Sequence, residues 1–341
     1  MAPMTLKLQL ALGLLILLPA FSSAAPAPED AFGVNQALSP GLNYGAIFDA
    51  KPPEGWGLLA KEGDFKIMAA AGFKSVRLPV RWSAKAAESE PYALDPLFLA
   101  RVDSMVQAAL DQGLYVVLDF HNFEELMADP QGQEARFLGI WKQLSAHYRS
   151  YPKKLLFEIL NEPHDKLTPE LWNRLYPKAL ALIRRDNPDR LVFLGTADWG
   201  GAKSLAALRP PEQDRNLILS FHDYAPFHFT HQGAEWVGPQ SQAWLGTRWT
   251  GSYAQREELR RDFAQAAAYA KARQLPLNLG EFGANAKADQ ASRVLWTAAM
   301  AGLARRFGFS SMYWEFKSGN FGVYDEKRGT WRMDLRDALL K

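Results

Sequence analysis

From residue 42 to the C-terminus, short apolar runs alternate with longer stretches whose apolar residues recur every three to four positions. The short runs predict strands at Leu42–Phe48, Ser75–Val80, Leu114–Phe120, Leu155–Leu160, Leu191–Gly195, Leu217–Phe221, Leu275–Gly280 and Ser310–Trp314. The longer periodicity predicts helices over Leu58–Ala71, Pro96–Gln112, Gln133–Ser150, Pro169–Asp186, Lys203–Leu208, Tyr253–Arg273, Gln290–Phe307 and Arg332–Leu340. Gly72 and Gly113 stand where a helix needs a left-handed terminator, and Asn187-Pro188 closes another helix. Strands alternating with helices imply parallel pairing through right-handed crossovers, and eight such units in one domain imply a closed (β/α)8 TIM barrel of the α/β class. The alternative is a doubly wound open sheet. It would usually carry G-x-G-x-x-G after its first strand, and Gly41-Leu42-Asn43-Tyr44-Gly45 lacks that spacing.

The chain ahead of the first strand reads differently. Leu8–Leu18 is an apolar run too short to span a bilayer comfortably, preceded by Lys7 and followed by small residues at Ser23 and Ala25. Residues 1–25 are therefore expected to be a signal peptide cleaved after Ala25, with an uncleaved anchor as the alternative. Residues 26–40 are expected to be a Pro/Ala-rich linker, and residues 41–341 a single catalytic-type domain. The protein is expected to be secreted or periplasmic, without stable membrane insertion after cleavage. The chain contains no Cys, so thiolate metal sites and a Cys nucleophile are excluded. A formal net charge of +2 gives no electrostatic reason to expect nucleic acid as a partner.

In a barrel, polar residues at the C-terminal ends of the strands converge on one mouth. Those ends carry Asn43, Arg77, Asp119-Phe120-His121-Asn122, Asn161-Glu162, His222-Asp223-Tyr224, Glu281 and Trp314. Two of these ends are alike: Leu155–Leu160 runs into Asn161-Glu162-Pro163, and Leu275–Gly280 runs into Glu281-Phe282-Gly283. Two carboxylates at facing strand ends suit glycosidic bond cleavage. One protonates the leaving oxygen, and the other attacks the anomeric carbon or activates water. Their environments must differ, so that one is protonated and the other ionised at the working pH. Singly, each residue has an ordinary structural reading: Arg77 as an internal ion pair, His121 and His222 as satisfied core histidines, Trp314 as core. Their recurrence at the same position in successive units is what points to a site.

These residues resemble glycoside hydrolase family 5, the cellulase-type retaining enzymes, over nearly the whole chain from Leu42. The resemblance is carried by Ile159-Leu160-Asn161-Glu162-Pro163, Gly280-Glu281-Phe282-Gly283, Val76-Arg77-Leu78-Pro79, Asp119-Phe120-His121-Asn122, His222-x-Tyr224, Tyr313-Trp314 and Gly41-x-Asn43-x-Gly45 extended by Pro53-Glu54-Gly55-Trp56-Gly57. It implies Glu162 as general acid/base and Glu281 as nucleophile. It further implies that Arg77 and Tyr224 support Glu281 and that Asn161 meets the sugar 2-hydroxyl. His121 and His222 would line the same subsite, with Trp314 beneath the sugar. The implied reaction is double displacement with retention, without metal or cofactor, and with the carboxyl groups about 5–5.5 Å apart rather than about 6.5–9.5 Å. Ala46, Asp223, Glu315 and Lys317 depart from common family patterns and leave substrate preference open.

Eleven Trp, 11 Tyr and 20 Phe make the chain rich in rings that can stack on the flat faces of sugars. Trp56, Trp82 and Trp199 follow predicted strands, and the loop Ala225–Gly251 carries Phe227, His228, Phe229, Trp236, Trp244 and Trp249. At least two of these rings, Trp199 and Trp236 among them, are expected to line a cleft for a β-linked polysaccharide. The expected activity is an endo-β-1,4-glucanase acting as a monomer. A β-mannanase or β-1,3-glucanase of the same family is the alternative, and a non-catalytic glycan-binding barrel a more distant one. No H-E-x-x-H spacing points to a metallohydrolase.

Overall fold

The computed structural model describes Met1, residues 30–50 and residues 58–341. The expected signal peptide and the motif Pro53–Gly57, with Trp56, lie outside the described residues. Eight parallel strands close into a barrel: β1 (Gly41–Asn43), β2 (Ser75–Val80), β3 (Tyr115–Phe120), β4 (Leu155–Glu158), β5 (Val192–Gly195), β6 (Leu217–His222), β7 (Leu277–Glu281) and β8 (Ser310–Tyr313). β8 returns to pair with β1, which excludes the open doubly wound sheet. Around the barrel run α2 (Gly63–Ala71), α3 (Pro96–Asp111), α4 (Glu124–Ala128), α5 (Pro130–His147), α6 (Pro169–Asp186), the single turn α7 (Phe227–Thr230), α8 (Tyr253–Arg273), α9 (Gln290–Phe307) and α10 (Met333–Leu340). Among the described residues no helix is long and apolar enough to cross a membrane.

Local chemistry sets the helix ends. Asp95, Asp129 and Thr168 accept hydrogen bonds from the first turns of α3, α5 and α6, each of which begins with Pro. Gly72 and Gly308 take left-handed conformations after α2 and α9. Buried Trp side chains then fasten helices to strands: Trp141 Nε1 donates to the Ile159 carbonyl and Trp172 Nε1 to the Gly195 carbonyl, both at 3.0 Å.

The segment expected to be a linker is corrected from residue 31 onward. Ala31–Ala37 form a helix, α1, capped by Asp30. Its Ala31 and Val34, with Leu38 beyond it, cover Val117, Leu156, Phe193, Ile218 and Met312 in one buried cluster. Asn35 donates to the Leu277 carbonyl at 3.1 Å and accepts from Ser310 Oγ at 2.6 Å. Composition suggested a tether; the apolar spacing of three residues it contains is what seats it as a plug.

Strand residues alternate in direction, so two positions on from that apolar layer the same strands present polar side chains. Asp119 follows Val117, Glu158 follows Leu156 and Ser220 follows Ile218, and Asp119 pairs in register with Glu158. The barrel interior thus changes from apolar at the α1 end to charged toward the opposite mouth.

Three other expectations shift. β1 is only three residues long, because Tyr44–Phe48 leave the barrel as a loop. Leu58–Glu62 precede α2 rather than belonging to it. A two-stranded hairpin, β9 (Tyr324–Asp325) with β10 (Thr330–Trp331), lies between β8 and α10, and Trp331 stacks on Phe73 at 5.5 Å.

Candidate active site

Arg77 on β2 is fully buried and organises the charged layer. Its Nε and Nη2 grip Glu158 at 2.6 and 3.1 Å, Nη1 reaches Glu281 Oε1 at 2.6 Å, and Nη2 lies 2.9 Å from Asp119. The same guanidinium donates to Asn43 Oδ1 at 3.0 Å and Asn161 Oδ1 at 2.8 Å. A planar fork with five N–H donors is suited to this; an ammonium could not reach so many partners in fixed directions.

Glu281 ends β7. Besides Arg77, it accepts from Tyr224 Oη at 2.9 Å and has His222 Nδ1 at 3.8 Å. Burial pushes its carboxyl up, but His222, Arg77, His121 and the Tyr224 hydrogen bond outweigh burial and hold it below the ordinary carboxylate range. Glu158 goes the other way: burial raises it despite Arg77. Gly280 is required beside Glu281, because a Cβ there would lie 2.6 Å from Ser220 Oγ and 2.9 Å from His222 Nε2.

Glu162 stands four positions beyond the regular end of β4, with φ at +42°, a region non-glycine residues enter rarely. Its Oε1 lies 2.6 Å from His222 Nδ1. Burial works against the His222 imidazolium, but Glu281 and Glu162 outweigh it and raise its pKa. One oxygen of Glu162, one of Glu281 and a ring nitrogen of His222 all come within 4.8 Å of one another. Such a trio is close enough to hold a cation. However, Nδ1 is engaged with Glu162, and a protonated imidazole has no lone pair to offer, so these residues fit proton handling better than metal ligation.

His121 Nδ1 lies 2.6 Å from Asp119, which overcomes the effect of burial and raises the imidazolium pKa to about 9. The His121 ring lies parallel to that of Trp314, 5.6 Å between centroids. Asn161 spends its side-chain oxygen on Arg77 and lines the cleft above. Asn43 is different from the others: it is fully buried and donates to the Gly280 and Met312 carbonyls at 2.9 and 3.2 Å. It joins β1 to β7 and β8 beneath the site rather than facing a ligand.

Above this layer opens a cleft of about 1270 Å³, lined by Asn161, Glu162, Glu281 and Trp314 together with rings from the surrounding loops. Trp199, Phe227 and Trp236 line it and are 58%, 46% and 49% exposed. Trp199 is held against His164, ring centroids 3.5 Å apart. Other rings expected in the cleft do not line it: Trp82, Phe229 and Trp249 are buried in the core, and Trp244 stacks on His228 and packs behind Phe227. Lys317 is buried against Asp64 and Glu326, so it adds no charge to the cleft.

Sequence reasoning passed over Glu158, hidden inside an apolar run, although an ionisable residue within a buried strand was itself the signal. It also passed over Asp49, which lines the cleft from the loop after β1.

Residues 43–320 match the family model for cellulase, glycosyl hydrolase family 5. Endoglucanase H of Acetivibrio thermocellus is 32% identical over 92% of this chain, which spans only 33% of that protein; Endoglucanase C from the same organism is 26% identical over 82% of this chain and 90% of its own length. This chain thus covers about a third of Endoglucanase H. Among solved structures, Thermotoga maritima Cel5A in complex with mannotriose is 45% identical, covering 91% of this chain and 100% of that one with a TM-score of 0.88. The same protein in complex with cellobiose gives the same figures.

Proposed function

This chain belongs to glycosyl hydrolase family 5, the cellulase family, and on that premise we propose that it is a retaining endo-β-1,4-glucanase with Glu281 as nucleophile and Glu162 as acid/base. The observation that carries the reading is the pair itself. Two carboxylates have oxygens within 4.8 Å of each other, closer than the separation that leaves room for the attacking water of an inverting enzyme. Their surroundings differ: Glu281 receives Arg77 and Tyr224, which favour the anion, whereas the side-chain hydrogen-bond partner of Glu162 is His222.

In the first step Glu281 attacks the anomeric carbon and the glycosidic bond breaks. The leaving oxygen takes a proton from Glu162, and Asn161 is placed to bind the 2-hydroxyl as charge develops on the ring. In the second step Glu162 accepts a proton from water, whose oxygen attacks the same carbon and frees Glu281. His222, 2.6 Å from Glu162, is positioned to steady the carboxyl in both of its protonation states. Trp314 forms the floor for the sugar being cleaved, and Trp199, Phe227 and Trp236 give the chain on either side its stacking surfaces.

β-1,4-Glucan is the first reading of the substrate, and the naming of the curated relatives as endoglucanases supports a glucan. Mannan is the second reading, because the Thermotoga relative was solved with mannotriose as well as cellobiose. Residues 1–25 are proposed to direct export. The test of the mechanism is E162Q and E281Q beside wild type on soluble cellulose derivatives, β-glucan, mannan and xylan. Each variant should lose about 10²-fold or more of the activity on the polymer wild type prefers. Retained activity in both variants would overturn the assignment.

A further inference from the structure

Two short segments beside the cleft take left-handed backbone conformations. After β4 these are Glu162 and Asp165, with φ of +42° and +53°; after β5 they are Asp198, Trp199 and Gly200, with φ of +53°, +60° and +70°. Four of the five are not glycine, so the surrounding structure must hold them there at a cost. The Trp199 N–H donates to the Pro163 carbonyl at 3.3 Å, joining the two segments, and the Gly200 carbonyl accepts from the His222 N–H at 2.8 Å.

His164 stands where these constraints meet, and the steps of double displacement do not call on it. It is buried, and its Nδ1 lies 2.6 Å from the Glu162 carbonyl oxygen. A carbonyl only accepts, so Nδ1 carries the proton and the ring orientation is fixed. Nε2 faces the carboxylates of Glu124 and Asp165, each 3.9 Å away. The flat of the same ring carries Trp199, with centroids 3.5 Å apart and planes 13° from parallel. Trp199 is more than half exposed in the cleft, so its other face is open to a ligand.

Either contact alone would make His164 an ordinary buried histidine. Together they link two groups of different use, the backbone that carries Glu162 and a ring offered to the glycan. The link is short and stiff, since an imidazole has no internal freedom. A proton donor must lie within hydrogen-bond reach of the leaving oxygen, and a displacement of about 1 Å can cost about 10²-fold in rate.

We propose that His164 is a positioning residue with two separable duties. Its Nδ1–H holds the backbone of Glu162 in the conformation that aims the carboxyl at the leaving oxygen, and its ring seats Trp199 for the leaving part of the glycan. Binding on that side and placement of the acid are thereby coupled through one imidazole. This rests on the reading of Glu162 as the acid/base.

Two substitutions separate the duties. Asparagine offers an amide N–H in place of Nδ1 but no ring, and phenylalanine keeps a ring but has no donor. Wild type, H164N, H164F, W199A, H164N/W199A and E162Q are compared on cellopentaose and on dinitrophenyl β-cellobioside, whose leaving group departs without a proton, with thermal unfolding of each; the manno-configured counterparts are used if wild type prefers mannan. H164F is expected to lose about 10–100-fold of kcat/KM on cellopentaose, and at least about tenfold less on the dinitrophenyl substrate. A merely structural role would lower both alike. H164N should retain more of kcat than H164F and raise KM for cellopentaose about 2–10-fold. Because that rise passes through Trp199, H164N/W199A should show the KM of W199A alone. Equal losses of H164F on the two substrates, or KM increments that multiply in the double variant, would overturn the proposal. Should H164F not fold, the double variant decides. E162Q sets the reference: if it shows the difference between substrates and H164F does not, His164 is not a positioning residue; if E162Q itself lacks it, the acid/base reading falls and takes the proposal with it.

Discussion

Replacing Arg77 by Met removes the cation set among Asp119, Glu158 and Glu281 at 2.9, 2.6 and 2.6 Å. Methionine nearly matches its length, so the main loss is charge and five donors rather than volume. Deleting one partner of a buried ion pair costs about 3–5 kcal/mol, and here three carboxylates lose the same partner. A domain is stable by only about 5–15 kcal/mol, so the variant should forfeit a third or more of its stability. At about 2–4 °C per kcal/mol, the unfolding midpoint should fall by about 6–20 °C. The loss should depend on pH. Glu158 is already raised by burial in the presence of Arg77, and without that cation burial drives it further up. An acid whose folded pKa lies above its unfolded value destabilises the fold at high pH, and that penalty disappears as pH falls through the folded pKa. The gap between R77M and wild type should therefore narrow from about pH 8 to about pH 5. Calorimetry at several pH values measures it. A midpoint within about 2 °C of wild type, or a gap that does not change with pH, would refute the reasoning. In parallel, Glu281 loses one of the groups that hold it low, so the acid limb of kcat/KM should move to higher pH in any residual activity.

Two further outcomes are expected. Trp199→Ala and Trp236→Ala each remove an exposed ring from the cleft; at about 0.5–1.5 kcal/mol per ring contact, KM for a polymer should rise by roughly 2–10-fold while a short substrate that does not reach the ring is unaffected. Unchanged polymer KM in both variants would mean that these rings do not carry the chain. Deleting residues 31–38 strips Val34 and Leu38 from the barrel floor and unsatisfies Asn35's partners, which should cost about 3–6 kcal/mol at about 1.5–3 kcal/mol per buried side chain. Kinetics at room temperature should be close to wild type while the unfolding midpoint drops; no drop would restore the view of this segment as a tether.

The architecture and the mouth of the barrel were legible because both depend on local signals. A buried parallel strand is apolar along most of its length and gives way to polar residues where it ends, so Leu155–Glu158 and Leu277–Glu281 announce both the strand and the place at which a side chain emerges. Helix boundaries at Pro169, Tyr253 and Gln290 coincide with capping residues, which are likewise local. Less legible were positions where local and global demands disagree. Glu158 sits in an apolar run because Arg77, 81 residues away in sequence, compensates it. Ala31–Ala37 have a tether's composition and a plug's role because the barrel floor offers them an apolar seat. Trp82 and Trp249 look like ligand platforms by position, and only the packing of α3 and the following loops buries them.

The arrangement of alternating runs and strand-end acids along the chain thus determined the barrel, the mouth and the two glutamates, since each follows from spacing within one βα unit. What the tertiary structure decided was relational. The oxygens of Glu162 and Glu281 come within 4.8 Å, and one arginine serves three carboxylates. These depend on distances between units set by barrel closure, and a distance across a closed sheet is a property of all eight strands together rather than of any stretch of sequence.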